Sequence, residues 1–199
     1  MTDAKAMDTR QRLLAAGERL FRTQGYAGTG LKELTEVAGA PWGSLYHFFP
    51  GGKEQLGAEV MRYAGALYAR GIAATFMRFT DPAEAAERMF LSEASVLSAS
   101  DYRDGCPIAS VTLDIASTSE DLRAACAEAF ASWLRAIAAG LAAAGAPDET
   151  AKALAGFILS ALEGAIVLAR AAKNPAVLLQ SARFVRAAVE REAEGWTSR

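Results

Sequence analysis

Apolar residues recur along this chain at intervals of three and four, the period of a helix packed on one side. Leu13, Leu14, Gly17, Leu20 and Phe21 share the first such face. Asp8 or Thr9 is placed to cap that helix, with Gln11 three residues beyond Asp8 as in a capping box, and Gly25 is placed to end it near Gln24. After a short loop of small residues, Leu31, Leu34, Val37 and Ala38 form a second, shorter face, with Lys32, Glu33 and Glu36 opposite. Gly39-Ala40-Pro41 interrupts the pattern, a two-turn helix follows over 42–48, and Pro50-Gly51-Gly52 stops it. Lys53 then opens a long helix reaching about Gly71 or Phe76.

Asp81-Pro82 is an N-cap followed by a proline at N1. Helical patterns continue over 82–99, 107–117, 119–144, 148–172 and 175–194, with Gly- and Pro-containing breaks between them. The expectation is an all-α chain of about nine helices: an N-terminal three-helix helix-turn-helix domain over residues 1–53 and a larger helical domain over 54–199. No flexible stretch or internal repeat separates the two.

Composition supports this picture. The chain has 199 residues, 52% of them hydrophobic, with abundant alanine and most Gly and Pro at segment ends. That length can bury a core without disulfides or metals, and the two cysteines, Cys106 and Cys126, lack CxxC spacing. Both read as inert thiols. The N-terminus is polar, and the most apolar stretch, 154–172, is broken by Ser160, Glu163 and Arg170. No membrane span is therefore expected, and a cytoplasmic protein fits best.

Net charge is −2, which at first argues against nucleic acid as a partner. The charge is unevenly divided: residues 1–53 hold seven Lys/Arg against five acids, and the remainder holds fourteen against eighteen. The basic excess thus falls on the segment whose helices suggest DNA binding. A single histidine, dispersed cysteines and the lack of a phosphate-binding glycine loop assemble no catalytic site, metal site or cofactor site. An enzyme is not expected. A helical ligand carrier with a vestigial N-terminal motif is the rival to a regulator, and DNA binding separates the two.

Two short helices joined by a glycine-containing turn, behind a supporting helix, form a helix-turn-helix pattern. Leu45 and Phe49 would anchor the second short helix to a core of Phe21, Leu34 and Val37, leaving Trp42, Ser44, Tyr46 and His47 outward. Tyr46 can serve as a core residue or a phosphate contact, and Trp42 can rest half-buried on the first helix or meet DNA. The ordered run Leu13-Leu14-Ala15-Ala16-Gly17-Glu18-Arg19-Leu20-Phe21, Gly25-Tyr26, Thr29, Leu31-Lys32-Glu33-Leu34, Ala38-Gly39 and Gly43-Ser44-Leu45-Tyr46-His47-Phe48-Phe49 resembles the N-terminal signature of the TetR (tetracycline-repressor) family. Phe49-Pro50-Gly51-Gly52-Lys53-Glu54 and Gly105-Cys106-Pro107 further resemble its LmrA/YxaF-like branch.

The resemblance implies roles by position. Thr29 and Lys32 would contact phosphates, as would Lys53. Trp42, Gly43, Ser44, Tyr46 and His47 would occupy the positions that meet bases or backbone. Pro41 and Trp42 depart from the family's usual polar residues, so operator preference does not transfer. The resemblance also implies a cavity for an apolar or aromatic effector, with Tyr68, Phe76, Met89, Phe90, Phe130, Trp133 and Phe157 as candidate lining. Arg170, Glu163 and Asp114 are candidate polar contacts in it.

On the eighth helix Gly156, Ser160 and Gly164 recur every four residues, a stripe that admits another helix closely. On the ninth, Leu178, Ala182, Val185 and Val189 form one apolar face. Both faces suit either packing within the chain or a homodimer interface of the four-helix type that the resemblance implies. The expected activity is repression at a palindromic double-stranded DNA operator, relieved by the effector, with no cofactor.

Overall fold

The computed structural model of the protein describes residues 8–115 and 118–196. Among these the chain forms nine helices and no strand: α1 (Thr9–Gly28), α2 (Leu31–Val37), α3 (Trp42–Phe48), α4 (Gly52–Arg78), α5 (Pro82–Ala99), α6 (Pro107–Ile115), α7 (Glu120–Ala143), α8 (Asp148–Ala172) and α9 (Ala176–Ala193). The last two residues of the helix expected over 107–117 lie outside the described residues. Asp8 caps α1 by accepting from the Gln11 N–H at 2.7 Å, and Asp81 caps α5 by accepting from the Ala83 N–H at 2.9 Å. Gly25 kinks α1 instead of ending it. It takes a left-handed φ of 75°, and helical structure resumes to Gly28.

The chain divides into two compact units. One holds the residues up to Gly65 together with Pro107–Ala129, and the other holds Ala66–Cys106 with the residues from Phe130 onward. The divisions fall within α4, at the start of α6 and within α7.

In the first unit Leu13, Phe21, Leu34, Leu45, Phe49, Leu56, Val60, Ile108, Val111 and Leu122 form the core, each essentially without solvent contact. Val37, expected among them, is partly exposed at the end of α2. A seven-residue helix such as α3 is not stable alone in water. It holds because Leu45 and Phe49 anchor it, each burial contributing about 1.5–3 kcal/mol. Helix α6 packs on α1 and brings the Asp114 carboxylate to the kink, where a Cβ on Gly25 would lie 2.9 Å from Oδ2. The helix-turn-helix segment is therefore backed by a helix from much later in the chain.

In the second unit α9 packs against both α5 and α8. Its apolar face, Leu178, Ala182, Val185 and Val189, is at most 1% exposed. Arg186 fixes the register of this helix at the edge of the core. Its Nη1 donates to Glu87 at 2.8 Å, Nη2 to Asp81 at 3.4 Å and Nε to Glu190 at 2.8 Å. Phe76 lies directly on Gly140, where any Cβ would overlap its ring. Helices α7 and α8 are long and apolar enough to cross a membrane by length and composition alone, with mean hydropathy 1.2 and 1.7. Both are amphipathic in this fold: α8 buries Ala151, Leu154, Ala155, Ile158, Leu162 and Ala165 on one side, and α7 buries Leu122, Ala129, Trp133, Ile137 and Leu141.

Candidate nucleic-acid interface

The turn between α2 and α3 is set by hydrogen bonds that only a left-handed residue permits. Gly39 has φ 57°. Its N–H donates to Glu36 O at 3.1 Å, and the Ala40 N–H donates to Thr35 O at 3.0 Å. This is a Schellman motif, and glycine is the residue it prefers at this position. Pro41 then carries extended backbone (φ −57°, ψ 142°) into α3, and its carbonyl accepts from the Ser44 N–H at 2.9 Å. At the far end Gly52, with φ 67°, turns the chain from α3 into α4.

This geometry presents one side of α3 to solvent. Trp42 is 50% exposed and Tyr46 48% exposed, and their rings pack edge to face at 5.8 Å. Gly43 and His47 are exposed as well, and Ser44 is half-buried. Lys32 is exposed in the first turn of α2. Thr29, by contrast, is turned inward. It is 1% exposed, and its hydroxyl donates to Gly25 O at 2.7 Å, closing the kink of α1. In this position the hydroxyl ties the α1–α2 connection to the kink.

Lys53, in the first turn of α4, does not extend freely into solvent. Its Nζ lies 4.6 Å from the centroid of the Tyr26 ring and 3.5 Å from Ala27 O. Partial burial holds its pKa below the ordinary lysine value. The Tyr26 hydroxyl is pushed up, by burial first and by the Glu54 charge second. Tyr26 is itself wedged against Phe21 at 5.4 Å and over Gly57, where a Cβ would lie 2.6 Å from its ring. Tyr26 is thus the seat of the lysine. Its partner lies 27 positions away in sequence, so no local pattern reveals the pair. A cation held over an aromatic face loses side-chain freedom and is presented in a defined position.

The other expected sites divide differently. Tyr68, Phe130 and Trp133 are brought together, with rings edge to face at 5.6 and 5.4 Å around Trp133. Met89 and Phe90 are buried on the inner side of α5. Phe157 stands apart. It is exposed on α8 and lines an open groove with Glu149, Thr150, Ala153, Leu154 and Glu192. Of the three polar candidates, Asp114 belongs to the first unit, whereas Glu163 and Arg170 both meet the 105–106 loop. The Arg170 guanidinium lies where a Cβ on Gly105 would be 3.0 Å from Nη1. Glu163 Oε2 is buried with no hydrogen-bond partner. Burial raises its carboxyl to about 7, against a hydrogen bond from the Cys106 thiol and together with the nearby charge of Glu93. Cys126 is buried, and its thiol is pushed up by that burial.

The small-residue stripe of α8 is open. Ser160 and Gly164 are exposed, Gly156 is half-buried, and a Cβ on either glycine would meet nothing within 4 Å. Phe157, Val167 and Leu168 flank the stripe and are exposed. The expected stripe of α9 is placed elsewhere. Leu178, Ala182, Val185 and Val189 fill the unit's own core, and the large apolar residues that α9 exposes are Leu179 and Phe184.

A helix-turn-helix whose second helix is anchored from behind and bare in front, joined to a larger helical region, defines a DNA-binding transcription regulator. The chain belongs to the TetR family. Residues 13–60 match the family "Bacterial regulatory proteins, tetR family", and residues 82–184 match "Transcriptional regulator LmrA/YxaF-like, C-terminal domain". Among its relatives, the uncharacterized HTH-type transcriptional regulator YxaF of Bacillus subtilis is 35% identical over 185 residues, covering 93% of this chain and 97% of YxaF. The HTH-type transcriptional regulator LmrA of the same organism is 38% identical over 173 residues, covering 86% of this chain and 92% of LmrA. A solved structure of a cysteine mutant of the TetR-family regulator CifR, complexed with 26 bp double-strand operator DNA, superposes with a TM-score of 0.70 at 25% identity, covering 98% of this chain and 100% of that one. These relatives are regulators and not enzymes, as the sequence led us to expect.

Proposed function

We propose that this regulator is a cytoplasmic repressor that binds a palindromic operator as a homodimer and is released by an apolar or aromatic small molecule. The observation that carries the reading is the solvent face of α3: Trp42, Gly43, Tyr46 and His47 are presented outward, while Leu45 and Phe49 hold the helix from behind. Lys32 and the seated Lys53 supply phosphate contacts, which fix position on the duplex without reading it. The exposed stripe of α8, with Leu179 and Phe184 of α9, is the surface offered to a second copy.

The cluster of Tyr68, Phe130 and Trp133 is the part of the second unit best suited to meet the effector, with Arg170 and Glu163 as its polar contacts. Helix α4 carries residues of both units in one continuous element. Effector binding relieves repression only if the effector prefers the DNA-incompetent state, because equal affinity for both states shifts nothing. By linkage, operator DNA then lowers effector affinity by the same factor.

The test is selection of duplexes from a random pool by the full-length protein, followed by a reporter carrying the selected site. Repression relieved by an apolar effector, with reciprocal antagonism in direct titrations, is the expected result. A helical carrier would return no preferred duplex, and an activator would raise reporter output.

A further inference from the structure

Helix α3 lacks the side chains that read bases with paired hydrogen bonds. In the major groove Arg or Lys pairs with guanine, Asn or Gln with adenine, and apolar groups contact the 5-methyl of thymine. Over Trp42–Phe48 there is no Arg, Lys, Asn or Gln. Leu45 faces the core, and Phe48 and Ser44 are half-buried. What faces outward is Trp42, Tyr46, His47 and the bare backbone of Gly43.

Trp42 and Tyr46 are one helical turn apart, and their edge-to-face packing makes one continuous ring surface. That surface begins at the first residue of α3, and the N-terminal residues of a recognition helix are those that meet base edges. Tyr46 lies beside the α3–α4 turn, where a Cβ on Gly52 would come within 3.8 Å of Cε1 of its ring. The indole therefore packs on a ring that stands at the α3–α4 turn.

We infer that Trp42, braced by Tyr46, is a specificity-determining residue that reads a thymine in each half-site through its 5-methyl group. The inference rests on the reading of α3 as the recognition helix. The thymine methyl is the apolar feature of the major-groove edge. An indole covering it removes both apolar surfaces from water. Guanine or cytosine at the same place would turn a polar edge toward the indole carbon surface and lose hydrogen bonds to water without replacement, which is unfavourable. A tryptophan packed on sugar and phosphate instead would be blind to sequence.

The experiment uses the full-length protein and a duplex selected from a random pool by the wild type. Each thymine of that duplex is replaced in turn by deoxyuridine, which removes the methyl group alone. At constant salt the wild type should lose about fourfold in affinity at one thymine per half-site, and about fifteenfold when both half-sites are changed, as expected for one buried methyl each. The loss should vanish in Trp42→Ser, and this variant should accept all four base pairs at that position alone. Trp42 is exposed, so the variant should melt with the wild type, which separates a binding defect from a folding defect. A flat deoxyuridine profile in the wild type overturns the proposal while leaving operator binding intact. So does an undiminished effect in Trp42→Ser. A selection that returns no preferred duplex removes the recognition-helix reading itself, and the proposal with it.

Discussion

Two helices of this protein, α3 and α8, expose apolar surface that the chain does not cover, and they do so in different chemistry. On α3 the exposed rings are Trp42, Tyr46 and His47, each with a polar atom at its edge. On α8 the exposed side chains are Phe157, Val167 and Leu168, wholly apolar and set beside the bare positions of Gly156 and Gly164. Rings with polar edges suit a surface studded with hydrogen-bonding groups, such as a DNA groove. A stripe of small residues between aliphatic flanks suits a second helix at close range. Where exposed apolar residues cluster into a binding face, the polarity of what is exposed indicates the kind of partner it suits.

The largest way to break the α3 side of this contrast is from behind. Leu45→Ala removes a fully buried anchor and should cost about 2–5 kcal/mol of stability, read by denaturant melting, with operator binding lost. A variant that melts normally yet fails to bind would show that Leu45 contacts DNA instead.

The α8 side breaks at Gly164. A leucine there projects into open space in the single chain, so Gly164→Leu should leave the protomer folded while weakening dimerisation about a hundredfold or more, a change of about 2.7 kcal/mol. Sedimentation at micromolar concentration should show the wild type as dimer and the variant as monomer. A wild-type monomer would remove α8 as an interface.

A smaller effect sharpens the boundary between the outward and inward faces of α8. Glu163 titrates near its ordinary 4.5 when unfolded and at about 7 when folded. Between these values the folded chain keeps a proton that the unfolded chain has released, so stability falls as pH rises from 4.5 to 7 and is level above. Glu163→Gln should abolish that slope and be more stable than the wild type by about 1–3 kcal/mol at pH 8, with little difference at pH 4. Equal pH profiles for the two proteins would place the carboxyl in water.

The smallest effect concerns Lys53. Lys53→Ala should weaken binding to every duplex alike and reduce the salt slope by about one unit, as for one phosphate contact. A changed base preference at constant slope would make it a reader of sequence.

Much of this was legible before the structure. Caps and breaks placed the helices because Asp8, Asp81, Gly39 and the Pro-containing turns act locally, through bonds to neighbours a few residues away. The outward side of α3 followed from helical period once Leu45 and Phe49 were taken as anchors. What was not legible is long-range. Period shows that Leu178, Ala182, Val185 and Val189 share a buried face, but not that α5 and α8 of the same chain bury it. Thr29 carries a hydroxyl that sequence alone leaves free for phosphate, and only the left-handed kink at Gly25 shows it turned inward. The return of α6 to α1, and the seating of Lys53 on Tyr26, depend on packing between segments far apart in the chain.

The burial of α9 inside its own protomer has a consequence for how the molecule comes together. Because α5 and α8 of the same chain cover the inner face of α9, the proposed homodimer is not needed to bury it. Dilution should yield an intact protomer, so a dissociation constant is measurable without denaturing anything. A chain cut after Lys173 would behave quite differently. It would strip the cover from α5 and leave that helix open to proteolysis, a failure of the single subunit and not of the pair.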